Sequence, residues 1–318
     1  MPKKTILGSK KKTSTRTKLA KTIGILHSGT APRHDKEIAA LLKFLKQAGY
    51  SVGTNLTIAP NRIPLWSHDD PKELQDNADT LAGIPGIDLI IAAGGSASTY
   101  EVARATNLRI NGVFTTFSKH ISPATNMTGV CACTTELDVS RLTNLYNMVQ
   151  QQPPPPPKTT FGVLENQRRI GYDPAPLKDE GDRLHLNLDR VSVYRLAGET
   201  DKHVVKRIKD AFARWKSNGV KSALVAADPI FNDHRPEVLA ATKANGVATM
   251  HQWREFKDDG GYACFGTSLI EAYQIAGTIA GQVLDGTPPS AIPVYVLSNI
   301  SLSINRATAK RLHLTPKA

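Results

Sequence analysis

From Thr22 onward, short apolar runs alternate with amphipathic stretches, and this alternation constrains the fold more than any other feature of the sequence. Ile23–Leu26 is an apolar run of the length that forms a buried strand, and Asp35–Ala48 carries apolar residues at helical spacing. Asp88–Ala93 is apolar after its first residue, as expected for a parallel strand covered by helices on both faces. The pattern predicts βα repeats around parallel sheets.

The alternation continues along the chain and is interrupted once. We expect further strands at Ser51–Ile58, Gly112–Thr116, Met127–Ala132, Thr160–Leu164, Val191–Leu196, Ser222–Ala226 and Ala248–Met250. We expect further helices at Pro71–Leu81, from Gly94–Ser98 to about Ala105, and at Thr135–Gln150, His203–Ser217, Arg235–Ala244 and Thr267–Leu284. Pro153–Pro157 form neither helix nor central strand, which predicts a stiff connector or, alternatively, a polyproline segment that recruits a partner. Since the pattern restarts after them, the fold class is α/β with two doubly wound, Rossmann-like lobes.

The positive charge of the chain is concentrated at its start. The formal net charge is +12, but eight of the 40 basic residues lie in the first 21 positions, where no acidic residue occurs. They are Lys3, Lys4, Lys10, Lys11, Lys12, Arg16, Lys18 and Lys21. A run of like charge of this kind is typical of a solvated, disordered tail, and subtracting its eight charges leaves +4. We therefore expect no specific binding to nucleic acid.

The sequence shows no pattern typical of a membrane span, a signal peptide, a disulfide framework or a zinc site. The most apolar stretch, Ile87–Ala93, is far shorter than the roughly 18 residues that cross a membrane. Thr and Ser interrupt every candidate apolar core of a signal peptide near the basic start, so this chain shows none. Cys131, Cys133 and Cys264 fit neither a disulfide framework nor a zinc site, and we expect buried structural thiols. Nothing in the sequence indicates a cofactor or a metal.

The turns after the strands are the expected location of function, because ligands bind at the carboxyl ends of strands in open α/β sheets. In Gly94–Ser98 two glycines allow a sharp turn, and the hydroxyls of Ser96, Ser98 and Thr99 stand over the first helical turn. The positive end of a helix dipole with several donors suits a carboxylate or phosphate. The alternative is that Ser96 or Ser98 simply caps the helix.

The sequence of this segment is similar to known enzyme motifs but matches none of them completely. Gly94–Ser98 lacks the last glycine of the nucleophile elbow G-x-S-x-G, and neither a dinucleotide fingerprint nor a P-loop occurs. The histidines show no metal-binding spacing, and we expect His27, in the first turn, to be a hydrogen-bonded structural residue. No catalytic residue can be named, so the sequence predicts a protein that is not an enzyme.

The second half of the chain offers an acidic turn and several aromatic residues. Asp228 follows an apolar strand and could bind an ammonium group or organise its own turn. Some of the aromatic residues near these strand ends could line a pocket. They are Phe117, Phe231, Trp253 and Tyr262.

Several segments together resemble one known family. In the first half they are Ile23–Gly29, Ala48–Tyr50, Gly53–Ile58 and Asp88–Ser96, and in the second half Ala227–Asn232, Trp253–Phe256, Gly260–Tyr262 and Phe265–Gly266. Over 22–314 the chain resembles the substrate-binding proteins of bacterial ABC transporters, in the branch with tryptophan- and tyrosine-binding members. The segments 61–70 and 153–189 do not share this resemblance.

The resemblance implies a type I periplasmic-binding-protein fold, with two lobes joined by three crossovers and a hinge. We expect a basic tail at 1–21, a first lobe at 22–132 plus 266–291, and a second lobe at 133–265 plus 292–318. In amino-acid binders of this fold, hydroxyls and helix-end N–H groups of the first lobe bind the carboxylate, and an acidic residue of the second lobe binds the ammonium group. The positions that match ligand-facing ones are Ser28, Gly95, Ser96, Ala97 and Thr116 in the first lobe and Asn166 and Asp228 in the second.

The sequence and the resemblance together predict the solute-binding component of an ABC-type uptake system. It would close its lobes on a small carboxylate-bearing ligand such as an amino acid, lie in the periplasm and deliver the ligand to a permease. Two alternatives stay open. One is a cytoplasmic sensor with the same clamp, which would fit the missing signal peptide, and the other is an enzyme that acts in the cleft.

Overall fold

The first lobe begins with βα repeats, as the alternation predicts. The computed structural model describes residues 18–31, 33–60, 64–68, 70–119, 121–132, 137–149, 159–169, 172–196 and 198–315. Up to residue 131 its elements are β1 (Lys21–His27), α1 (Asp35–Gln47), β2 (Leu56–Ala59), β3 (Leu65–Trp66), α2 (Pro71–Ala82), β4 (Leu89–Ala93), α3 (Ser96–Thr106), β5 (Asn111–Phe117) and β6 (Met127–Cys131).

The repeats then start again in a second sheet. The following elements are α4 (Asp138–Val149), β7 (Thr160–Glu165), α5 (Ala175–Arg183), β8 (Asn187–Ser192), α6 (Asp201–Ser217), β9 (Ser222–Val225), α7 (Pro229–Asp233), α8 (Arg235–Asn245), β10 (Ala248–Trp253), α9 (Arg254–Asp258) and β11 (Ala263–Thr267). The chain continues with α10 (Leu269–Leu284), a short 3₁₀ turn (Pro289–Ala291), β12 (Tyr295–Val296), β13 (Ser301–Ile304) and α11 (Arg306–Arg311).

The strands form two separate sheets, one in each lobe. The first has the order β12-β6-β5-β4-β1-β2, with β3 also paired to β1, and its pairings are parallel. The second has the order β13-β11-β10-β9-β7-β8 and is parallel except for the antiparallel pair of β11 and β13. The two-lobed, doubly wound α/β architecture predicted from the sequence is therefore confirmed.

Helices α1 and α10 cover one face of the first sheet and bury the core of that lobe. Leu41 and Leu45 of α1 are fully buried, and β4 is buried along its whole length. A side chain at Gly277 of α10 would lie 2.5 Å from the Leu41 carbonyl oxygen, so glycine permits this close approach. The long helix after β11 thus returns to the first lobe and packs against α1 and β4–β6.

The expected lobe boundaries need two corrections. The basic tail does not extend to residue 21, because Lys21 begins β1, while the Lys18 ammonium pairs with Asp285 at 2.6 Å. Residues from 292 onward do not all belong to the second lobe. Tyr295 and Val296 pair with β6 and extend the edge of the first sheet, and the chain enters the second sheet only at β13.

Some helices and several strand boundaries differ from the prediction. Helix α5 was not predicted, because Leu177 is its only large apolar residue. The short helices α7, α9 and α11 span five or six residues and leave no periodic pattern to detect. Strand β8 ends at Ser192 instead of continuing to Leu196.

The cysteine prediction is confirmed at two of its three positions. Cys131 and Cys264 are both fully buried. Cys133, the tail residues 1–17 and the proline run Pro153–Pro157 lie outside the described residues. Within the described part of the chain, no helix has the length and apolar character needed to cross a membrane.

Candidate functional site

A cavity of about 450 Å³ lies between the two lobes, and we call it the interlobe cavity. Turns at the carboxyl ends of strands in both sheets form its wall. The seven positions predicted to face a ligand all lie in this wall: Ser28, Gly95, Ser96, Ala97, Thr116, Asn166 and Asp228. The structure brings them together, while their contact with a ligand stays a prediction.

The turn between β4 and α3 depends on its two glycines. Gly94 has a φ of 87° and Gly95 a φ of 124°, which side-chain-bearing residues rarely adopt. A β-carbon at Gly94 would overlap the Ser28 hydroxyl. One at Gly95 would lie 2.7 Å from Pro229 Cγ in the second lobe, so the Gly95 backbone lies close to the Pro229 ring.

The N-terminus of α3 presents backbone donors to the cavity. Its N-cap is Gly95, which has no capping side chain, so the alternative that Ser96 or Ser98 caps the helix is wrong. Among the described residues, none accepts a hydrogen bond from the N–H groups of Ser96 and Ala97. These groups and the positive end of the helix dipole suit an anion.

The hydroxyls around this turn divide into two groups. Ser98 Oγ and Thr99 Oγ1 each donate to the Gly95 carbonyl at 2.9 Å, so they do not converge on a ligand as expected. Ser96 Oγ lies in the cavity wall and donates to Ser118 Oγ at 3.0 Å. Ser118 was not predicted, because it follows a strand whose end the pattern placed at Thr116.

Asp228 is buried in the opposite wall and begins helix α7. Its carboxylate accepts a hydrogen bond from Ile230 N at 3.0 Å and another from the Asn166 side chain. Burial raises the pKa of Asp228 to about 6, although these hydrogen bonds and the charge of Arg169 oppose the shift. Asp228 therefore organises its turn, which was one of its two predicted roles, and its role toward an ammonium group stays a prediction.

The second-lobe wall contains basic and aromatic residues that the sequence analysis missed. Arg168, Arg169, Tyr194 and Arg195 all line the cavity. Tyr194 and Arg195 were expected inside the predicted strand Val191–Leu196. Because β8 ends at Ser192, both lie in the turn that follows it. The available signal was the pair Arg168 and Arg169, which begins two residues after Asn166 in a strand-to-helix turn.

The basic residues are held by contacts within the second lobe. The Arg168 guanidinium lies over the Tyr194 ring, 4.4 Å from its centroid, and Arg207 lies 4.8 Å from the same centroid. Arg169 donates to the Ala227 carbonyl at 2.6 Å. Arg195 pairs with Asp201. These contacts restrain the cations at the cavity wall.

One of the predicted aromatic residues lines the cavity. Trp253 is in its wall, whereas Phe117, Phe231 and Tyr262 are buried elsewhere in the core. Tyr100 and Tyr194 supply further aromatic surface that was not predicted.

His27 has the structural role that was predicted for it. It is fully buried, and its Nδ1 accepts a hydrogen bond from Gly29 N at 2.9 Å. The proton therefore lies on Nε2, which donates to the Tyr273 hydroxyl at 2.9 Å. Burial and the neighbouring His34 lower the pKa of His27, so it stays neutral.

A polar network joins the lobes beside the cavity. Asp233 of the second lobe accepts hydrogen bonds from Thr30 N at 3.1 Å, Thr30 Oγ1 at 2.9 Å and His34 Nε2 at 2.7 Å. Arg33 forms a bidentate pair with Glu237 at 2.9 and 3.0 Å. Burial alone would raise the pKa of Asp233, but the bonds from His34 and Thr30 outweigh burial and lower it. We call these five residues the interlobe network.

Comparisons with known proteins give results at the level of the fold. No protein-family model matches the chain, and no curated protein matches it. Solved structures do match. One is a conserved domain protein from Vibrio cholerae, with a TM-score of 0.74 and 17% identity over 94% of this chain and 96% of the other.

Two further structures contain ligands of different chemistry. An ABC domain from Streptococcus pneumonia in complex with L-Trp has a TM-score of 0.71 and 18% identity over 93% of this chain and 95% of the other. An ABC transporter solute-binding protein from Bacillus halodurans with bound myo-inositol has a TM-score of 0.57 and 10% identity over 94% and 99%. The chain is thus similar in structure to two-lobed binding proteins, and its fold is that of the type I periplasmic binding proteins.

Proposed function

We propose that this protein is the solute-binding component of an ABC-type uptake system and closes its lobes on a small ligand with a carboxylate, such as an amino acid. The observation that carries the proposal is the interlobe cavity, whose walls come from both lobes and whose volume, about 450 Å³, suits a small molecule. Binding between two lobes gives a ligand differential affinity for the closed form, and this is what shifts a clamp from open to closed.

The carboxylate is proposed to bind the first-lobe wall. The N–H groups of Ser96 and Ala97 stand at the start of α3 and the Thr116 hydroxyl lies in the same wall, so backbone and side-chain donors are available. Ser28 lies in this wall as well, but its hydroxyl donates to the Gly94 carbonyl. Asn166 and Asp228 are proposed to bind the rest of the ligand from the second lobe. An ionised Asp228 would attract an ammonium group.

Catalysis in the cavity has less support than binding. Among the described residues that line it there is neither a histidine nor a cysteine, and the Ser28 hydroxyl donates to the Gly94 carbonyl at 2.8 Å. A serine nucleophile needs an adjacent base, and these residues supply no histidine for that role.

The proposed partner is an ABC permease that recognises the closed form, and the proposed location is the periplasm.

A thermal-unfolding screen tests the proposal. The panel contains amino acids, small carboxylates and myo-inositol, because the structural relatives include proteins with tryptophan and with inositol bound. A ligand at 100 times its Kd should stabilise the protein by about 2.7 kcal/mol, which raises Tm by several degrees. We expect a carboxylate to give this rise and myo-inositol to give none.

Two variants test whether a ligand-induced rise in Tm comes from binding in the interlobe cavity. Ser96→Ala removes a hydroxyl from the first-lobe wall and Asp228→Asn removes a charge from the second, and each should reduce the ligand-induced rise in Tm. Ser301→Ala, on the exposed strand β13, is the matched control. A rise in Tm that neither cavity variant reduces would contradict the proposed site.

A further inference from the structure

The cavity wall contains cations that form no ion pair with a carboxylate of the described residues. Arg168 and Arg169 line it from the second lobe and Lys119 from the first. None of the ion pairs formed by the described residues includes any of these three side chains. Arg168 lies over the Tyr194 ring, which holds its guanidinium at the wall.

A third arginine of the same wall has an unsatisfied donor. The Arg195 side chain is 6% exposed, and its guanidinium pairs with Asp201. Its Nε is buried and has no hydrogen-bond partner among the described residues, and the same is true of Nε1 of Trp253, another residue of this wall. Buried donors are normally paired, so these atoms mark positions where an acceptor is missing.

The carboxylates in the wall already have other partners. Glu101 pairs with Arg104 at 2.7 Å. Asp70 accepts from Lys72 N at 2.8 Å at the start of α2, and Asp228 caps α7. Asp228 and the buried Asp138 of α4 both interact with Arg169 electrostatically, which leaves Arg168 and Lys119 without an anionic partner among the described residues.

We infer that the ligand carries two separated acidic groups, one at the N-terminus of α3 near Lys119 and the other at Arg168 and Arg169. The ligand class is small organic diacids, which includes acidic amino acids. Two sets of donors on opposite walls would each bind one acid, and arginine suits a carboxylate because its planar guanidinium can donate two parallel hydrogen bonds. The inference rests on the proposed function and specifies its substrate class.

Matched acid and amide pairs test the inference by calorimetric titration of the full chain. The pairs are glutamate and glutamine, aspartate and asparagine, succinate and succinamate, and adipate and its monoamide. Within each pair the molecules are nearly equal in size and differ by one charge. We expect the acid of at least one pair to bind 10-fold or more tightly than its amide.

Arginine variants assign that preference to the second lobe. Arg168→Gln and Arg169→Gln should each reduce the preference for the acid several-fold, whereas Arg109→Gln, an exposed residue outside the cavity wall, should leave it unchanged. Arg168 is exposed, and its guanidinium donates to no backbone carbonyl of the described residues, so its variant remains informative if the Arg169 variant unfolds.

Two results would overturn the inference. One is equal binding of acid and amide in every pair that binds, and the other is a panel in which no diacid binds. In both cases a monocarboxylate whose binding depends on Ser96 would leave the proposed function standing. The inference and the proposed function would both be contradicted if no carboxylate binds at all.

Discussion

Asp228 is a buried carboxylic acid at the start of a helix, and its surroundings determine its charge at neutral pH. It is 5% exposed, and burial raises its pKa from 3.8 to about 6. For an acid with a raised folded-state pKa, the folded protein is most favoured below the unfolded value and loses stability as pH rises through the folded value. Above pH 6 the ionised carboxylate therefore costs folding free energy, on the order of 3 kcal/mol.

Asp228→Asn should stabilise the ligand-free protein at alkaline pH. Asparagine can still cap α7 but cannot ionise, so the variant avoids the cost of a buried charge. We expect the free energy of unfolding to exceed that of the wild type by about 1–3 kcal/mol at pH 8. The gain should disappear as pH falls from 6 toward 4. Urea unfolding at pH 8 and at pH 4.5 measures both values.

Asp70→Asn is the control for this comparison. Asp70 caps α2 through the backbone N–H groups of Lys72 and Glu73, but it is only partly buried, so the substitution removes no deeply buried charge. A stability gain at pH 8 that is as large for Asp70→Asn as for Asp228→Asn would contradict the account of Asp228.

Individual site residues were predictable where they directly follow a buried strand. Ser28, Ser96 and Asp228 were placed correctly in the cavity wall because apolar runs mark the strands before them. Arg168 and Arg169 were not, since nothing in a polar loop shows which of its side chains turns toward a cleft. The hydroxyl of Ser98 was misjudged because a side-chain bond to its own helix is not visible in the sequence.

At the scale of elements, the loop after β1 and the helices α7 and α8 form the contact that can favour lobe closure. The interlobe network buries Asp233 completely, with hydrogen bonds from Thr30 and His34. In an open form these groups would be exposed to water and keep their hydrogen bonds to solvent. Loss of the Asp233 charge should therefore destabilise the closed form more than the open form.

Asp233→Asn should weaken ligand binding without contacting the ligand. A ligand that binds the closed form must supply the closing free energy that the network no longer supplies. We expect Kd to rise by about 10- to 100-fold, a change of about 1.4–2.7 kcal/mol. Calorimetric titration with the ligand that most strongly raises Tm measures the change.

Asp259→Asn provides the matched control for this variant. Asp259 pairs with Arg235 at 2.9 Å within the second lobe, and its side chain is half exposed. We expect this substitution to leave Kd unchanged, because it does not affect contacts between the lobes. Equal effects of the two substitutions would contradict a closure role for the interlobe network.

Regular elements were predicted from the sequence in proportion to the strength of their periodic pattern. Helix α1 was recognised because Ile38, Leu41 and Leu45 recur on one face and pack in the core. Helix α5 was missed because it buries little apolar surface, and tertiary contacts with α4 and β8 support it. Strand β3 has two residues, which is too short for alternation to be detected.

At the scale of the whole molecule, the repeated βα pattern predicts two lobes but not how the chain connects them. The return of α10 to the first lobe was implied by the family resemblance, because a helix pattern does not show which sheet the helix covers. The short strand β12 was expected in the second lobe and pairs instead with β6 of the first. The edge strands β12 and β13, which are consecutive in the chain, thus belong to different sheets.

The central claim is that the two lobes close together on a solute. Small-angle X-ray scattering of the wild type, with and without the ligand that most strongly raises Tm, tests it most directly. We predict that the ligand-free protein populates open forms in solution and that the ligand lowers the radius of gyration and the maximum dimension. A ligand that raises Tm but leaves both dimensions unchanged would contradict the claim.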